Sequence, residues 1–180
     1  MEIVGKVPSN RFYKAYPVPG RYDEGFYAID LMSDLMGRNE TSFLYLALVQ
    51  NKRVFDSISV SQTGSIDPGL LIVSGQVCDG VDLALAEKEL DQAIHEFVDH
   101  SFETVDLQRV KNQAEASLIF GEVEVLNRAM NLAMAANAGD VNLVNLESEN
   151  LAKVTLSEVA YWAKKIFKEG KSNTLIYKKA

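Results

Sequence analysis

A chain of 180 residues, 47% of them hydrophobic, fits one domain with a sizeable core. Its formal net charge of −7 argues against a nucleic-acid partner or an anionic membrane surface. The single cysteine, Cys78, excludes an internal disulfide, and no apolar run approaches the ~20 residues that a membrane span needs.

The first ten residues carry no basic-plus-apolar leader. Strand-like Ile3-Val4 follows Met1 almost at once, as at a domain boundary, so residues 1–180 are expected to be one domain cut from a longer protein. Ile3-Val4 and Phe12-Tyr13-Ala15-Tyr16, separated by Pro8-Ser9-Asn10, predict two short strands or one bent strand. From Tyr22 to Met36, Phe26, Ile29, Met32 and Leu35 or Met36 recur at helical spacing, and Gly37 is a stop signal. Ser42 to Gln50 reads as a shorter amphipathic helix. Phe55 to Ser61 alternates, with Ile58 and Val60 facing one way and Ser57, Ser59 and Ser61 the other, the pattern of a half-buried strand. Gly64 to Gly69 contains Asp67-Pro68-Gly69, a turn, and Leu70 to Val77 is apolar enough for a central strand. Together these segments predict an antiparallel hairpin.

Helices dominate the remainder. Asp82 caps a helix to about His100 with Leu83, Ala86, Leu90, Ile94 and Phe97 on one face. Thr104 is the expected cap of the next, which carries Leu107, Val110, Ala114 and Leu118 and continues, bent at Gly121, through Asn137. Leu143 to Ala152 is a short helix. Thr155-Leu156-Ser157-Glu158 is a capping box opening a helix through Phe167, with Gly170 as its stop and Thr174 to Tyr177 as a final strand. A hairpin with helices gathered after it predicts an α+β two-layer sandwich with a mostly antiparallel sheet and helices on one face.

Little in the chain suggests catalysis. The two histidines, His95 and His100, are five residues apart, which on a helix turns them about 140° from each other, so they do not share a metal. No G-x-S-x-G elbow, phosphate loop or dinucleotide fingerprint occurs. Cys78 reads as a small buried hydrophobe. The C-terminal lysines from Lys164 to Lys179 read as a solvated helix end and tail.

The segment Gly37 to Val60, GRNETSFLYLALVQNKRVFDSISV, joins a glycine-and-polar loop to a helix, a positive turn and an alternating strand. It resembles the C-terminal, non-zinc half of insulinase-type (pitrilysin-type, processing-peptidase-like) zinc metallopeptidases, where a glycine-rich loop precedes S-S-R-L and then L-R-x-K-x-G-L-A-Y-S-V. Thr41-Ser42-Phe43-Leu44 fills the first part of that pattern, and Leu48 to Ile58 the second. Tyr22 to Gly37, Ser65 to Gly75, Thr104 to Asn112 and Val154 to Val159 follow in the family's order. The resemblance implies a metallohydrolase-type sandwich, two copies of which close like a clamshell around an extended peptide.

In active members an arginine and a tyrosine of this half hold the substrate backbone and stabilise the developing oxyanion. The match places Val49 and Asp56 there, with Arg53 as the arginine in an alternative register. Loss of one such donor typically costs on the order of 10²–10³ in rate, and an aspartate puts negative charge where negative charge develops. The resemblance therefore implies no catalytic residue and no cofactor in this chain, with zinc in a partner domain. Val49, Phe55, Asp56 and Ser57 are the substrate-facing candidates. The implied partners are a homologous zinc-bearing domain or subunit and an unfolded or extended peptide, with no nucleic acid and no membrane. The alternative is a structural assembly module like the core subunits related to processing peptidases.

Overall fold

The computed structural model describes residues 1–168 and 171–180, so the expected helix stop at Gly170 lies outside the described residues. Strands β1 (Glu2–Gly5), β2 (Arg11–Val18), β3 (Phe55–Gln62), β4 (Gly69–Val77) and β5 (Asn173–Lys179) form one sheet in the order β1-β5-β2-β4-β3. The β2–β4, β2–β5 and β3–β4 pairs are antiparallel, and β1 runs parallel to β5. The bent start of the chain is therefore two strands, separated in the sheet by β5. The helices are α1 (Phe26–Gly37), a π-helical segment Tyr45–Asn51, α2 (Leu83–Asp99), α3 (Thr104–Gly121), α4 (Val125–Asn137), α5 (Leu143–Lys153) and α6 (Leu156–Ile166). Among the described residues no helix is long and apolar enough to cross a membrane.

Alternation decides which sheet face is covered. Phe12, Tyr16, Ile58, Val60, Leu71, Val73 and Ile176 point to one side and join α1, α2 and α6 in the core. α1 lies between the sheet and other helices, touching β3, α3, α5 and α6. Most of its surface is buried, and its sequence is accordingly apolar nearly all round.

Several boundaries differ from the sequence reading. α1 begins at Phe26, not Tyr22, because Gly20 N donates to Asp23 Oδ2 (2.9 Å) and Gly25 adopts φ 90° ahead of the helix. A Cβ at Gly25 would meet the Trp162 indole at 2.0 Å, so space as well as dihedral angle calls for glycine. α3 is capped by Glu103, not by Thr104: Glu103 N donates to Asp106 Oδ2 (3.1 Å). α3 and α4 are separate helices, broken at Glu122–Glu124. The capping box at Thr155 forms as expected: Thr155 N donates to Glu158 Oε2 (2.8 Å) and Glu158 N to Thr155 Oγ1 (3.3 Å).

Candidate functional site

The segment from Gly37 to Val60 turns from the core helix to the edge of the sheet. Gly37 sits where a Cβ would fall 2.4 Å from Val60 Cγ2, so α1 closes directly on β3. Asn39 Oδ1 accepts from Thr41 N (3.0 Å) and Thr41 Oγ1 (2.7 Å), a local turn that orders the polar loop. The expected short helix is π-helical from Tyr45 to Asn51, with Lys52 N donating to Ala47 O (3.1 Å). Val54 N then reaches back to Leu48 O (2.9 Å), and Arg53 between them has φ 52°. Lys52 Nζ pairs with Glu89 Oε2 (2.6 Å), tying this turn to α2.

The four substrate-facing candidates do not share a face. Val49 is half-buried and packs against the core. β3 carries a bulge: Phe55 pairs with Val77, Ser57 pairs with Gln76, and Asp56 is the extra residue between them. The bulge turns Phe55 into the core, 1% exposed, edge-on to the Phe12 ring at 6.1 Å. Phe55 is thereby corrected from the open face to the interior, while Asp56 and Ser57 both face outward. Arg53, the arginine of the alternative register, is exposed.

Asp56 belongs to a polar chain that crosses three strands. Arg11 Nη2 donates to Gln76 Oε1 (3.4 Å), Gln76 Nε2 to Asp56 Oδ2 (3.3 Å), and Cys78 Sγ to Asp56 Oδ1 (3.1 Å). Cys78 is therefore a hydrogen-bond donor at the sheet margin, not a buried hydrophobe. Desolvation, reinforced by the hydrogen bond to Asp56 and by the charges of Asp56 and Asp79, pushes its thiol up to about 11. Beside this chain, Arg11, Tyr13, Ser57, Ser59, Ser74 and Gln76 line a shallow cavity of about 200 Å³ on the uncovered face. The Ser59 and Ser74 hydroxyls meet there at 2.8 Å. Arg11 and Gln76 escaped the sequence reading because only the register of β2, β3 and β4 brings them to Asp56.

This arrangement offers hydroxyl, amide and guanidinium groups to a bound chain. It lacks a base-activated nucleophile: the thiol is held protonated, and Asp56 accepts from two neighbours.

The histidines separate for a reason that differs from the helical estimate. α2 ends at Asp99 and His100 caps it in extended conformation, packed between the Phe43 and Phe102 rings at 5.1 and 4.6 Å. His95 remains on the helix with Nδ1 2.7 Å from Asp91 O. Among the described residues no group of three or more His, Cys, Asp or Glu converges as metal ligands, so these residues do not fit a zinc site.

The fold is an α+β domain, one mostly antiparallel five-stranded sheet with its helices packed on one face. Residues 2–114 match the family described as the Peptidase M16 inactive domain, and the chain belongs to that family. No curated protein matches the sequence. Among solved structures, a protease from Helicobacter pylori superimposes with TM-score 0.87 at 18% identity, over 98% of this chain and 44% of its own. The inactive peptidase domain from Bordetella parapertussis gives TM-score 0.86 at 19% identity, over 94% of this chain and 92% of its own. A chain of complex III2 from Candida albicans gives TM-score 0.81 at 12% identity, over 99% of this chain and 45% of its own. This chain thus spans less than half the length of the Helicobacter protein.

Proposed function

We propose that residues 1–180 form a single non-catalytic domain serving as one wall of a peptide chamber, opposite a homologous zinc-bearing domain that supplies the metal and the general base. The observation that carries this reading is the uncovered sheet face. Its β3 margin is lined by Ser57, Ser59, Ser74, Gln76 and Arg11, side chains able to hydrogen-bond an extended backbone, and β3 is an edge strand. The valine and aspartate at positions 49 and 56 fit a wall, since neither donates to an oxyanion. The test is a peptidase assay with zinc and unfolded peptides, using the chain alone, an H-x-x-E-H domain alone, and the two mixed. The reading expects chelator-sensitive turnover that rises when the chain is added. Turnover by the purified chain alone, or no effect of adding it, refutes the reading.

The likeness to a complex III2 chain favours a second reading, a structural module retained for assembly with no peptidase role. Stable association with a partner that has no peptidase activity would support it over the first.

A further inference from the structure

A second cavity lies on the helical side of the domain, lined from α1, the π-helical segment, the link after α2, and α3. It measures about 410 Å³, within the ~300–1,000 Å³ of small-molecule sites. Its apolar wall is Leu35, Phe43, Leu46, Ala47 and Phe102. Leu46 is 40% exposed, so this wall opens to solvent. The Phe43 and Phe102 rings meet edge-on with centroids 6.3 Å apart. A further planar ring fits such a wall, because aromatic edges and faces attract one another.

The charged side of the cavity comes from α3. Asp106 and Arg109 are three residues apart and so share a helix face, and both line the cavity. Asp106 is engaged at the helix cap, where its Oδ2 accepts from Glu103 N. Arg109 Nη1 donates to Thr41 Oγ1 (3.0 Å), Thr41 Oγ1 donates to Asn39 Oδ1 (2.7 Å), and Asn39 Nδ2 donates to Gln113 Oε1 (3.2 Å). The polar loop after α1 is thereby tied to α3 and holds the guanidinium in place. Among the described residues this guanidinium forms no ion pair and no other hydrogen bond. An arginine fork fixed in this way presents its remaining N–H groups to a carboxylate, which it holds by two parallel hydrogen bonds.

We propose that this cavity binds an aromatic carboxylate: the ring packs on Phe43, Phe102 and Leu46, and the carboxylate pairs with Arg109. A free aromatic acid and the C-terminal aromatic residue of a short peptide share this chemistry. The site faces away from the serine-lined sheet face, so its occupancy is a property separate from peptide enclosure there.

The experiment titrates the full chain with 3-phenylpropionate and with N-acetyl-glycyl-phenylalanine, following backbone amide shifts by NMR. The uncharged 3-phenylpropanamide is the control, and Arg109→Gln is the variant, its amide dispersion serving as the check that it folds. The expected result is saturable binding of at least one acid, with Kd on the order of 1 mM or below. Shifts should centre on Leu46, Ala47, Phe102 and Arg109. Affinity should fall at least about 10-fold for the control amide and for Arg109→Gln. Binding of one acid but not the other supports the site and identifies which of the two sources it takes. Absence of saturable binding of both acids, or shifts centred elsewhere, overturns the proposal. Equal affinity for 3-phenylpropionate and its amide overturns the pairing with Arg109, whether or not the variant folds.

Discussion

Replacing Asp30 by asparagine should remove a pH-dependent weakness from the core. Asp30 lies on α1, one helical turn before Asp34, and Arg38 Nη1 contacts both oxygens of Asp34 at 3.0 Å. Burial, and secondarily the charge of Asp34, push the Asp30 carboxyl from 3.8 to about 6, while Arg38 and Gln62 pull more weakly in the other direction. A shift of that size corresponds to ~3 kcal/mol between the two protonation states. Because the folded value lies above the unfolded one, the stabilisation from the bound proton is complete below about pH 3.8 and is lost as pH rises through about 6.

Between pH 5 and pH 8 the part lost is ~1.4 kcal/mol, and partial solvent access reduces it to roughly 1 kcal/mol. An asparagine side chain cannot ionise, so Asp30→Asn should gain roughly 1 kcal/mol on wild type between pH 5 and pH 8, about 2–4 °C in Tm for a domain of this size. Urea unfolding of both proteins at the two pH values checks this. A stability difference that is the same at both values would refute the reasoning, since it would mean that Asp30 ionises no differently in the folded and unfolded chain.

Two further outcomes test the site's construction. Asp56→Asn removes a charge facing the Cys78 thiol, so alkylation of Cys78 by iodoacetamide at pH 8 should accelerate by about 3–10-fold; equal rates would disprove the contact. Gly75→Ala places a Cβ 2.7 Å from the buried Phe55 ring, which has no room to withdraw, and should cost about 1–3 kcal/mol in urea unfolding. An unchanged midpoint would show that Phe55 is not fixed in the core by the bulge.

Much of the fold was legible because it follows from local periodicity. The alternation from Phe55 to Ser61 correctly placed Ile58 and Val60 inward, and Thr155 with Glu158 announced the start of α6. The apolar spacing of Phe26, Ile29, Met32 and Leu35 identified α1 as a core helix, although its first turn was set too early. The family resemblance was legible too, in the order of weak local patterns along the chain, and the match over residues 2–114 agrees with it.

The site was less legible because its geometry depends on single-residue register. One extra residue at Asp56 reverses Phe55 and sends two successive polar side chains outward, and the strand pattern of β3 continues on either side of it. The π-helical segment leaves a sequence indistinguishable from a short α-helix, because the same buried Leu44 and Leu48 suit both.

By itself the sequence determined the helix or strand character of most elements, the inward side of β3 at Ile58 and Val60, the core face of α1, and the family. Those depend on side-chain period and capping chemistry carried within about ten residues. Tertiary structure alone decided the parallel pairing of β1 with β5 and the chain Arg11–Gln76–Asp56–Cys78. Both join residues far apart in the chain. No local pattern encodes either.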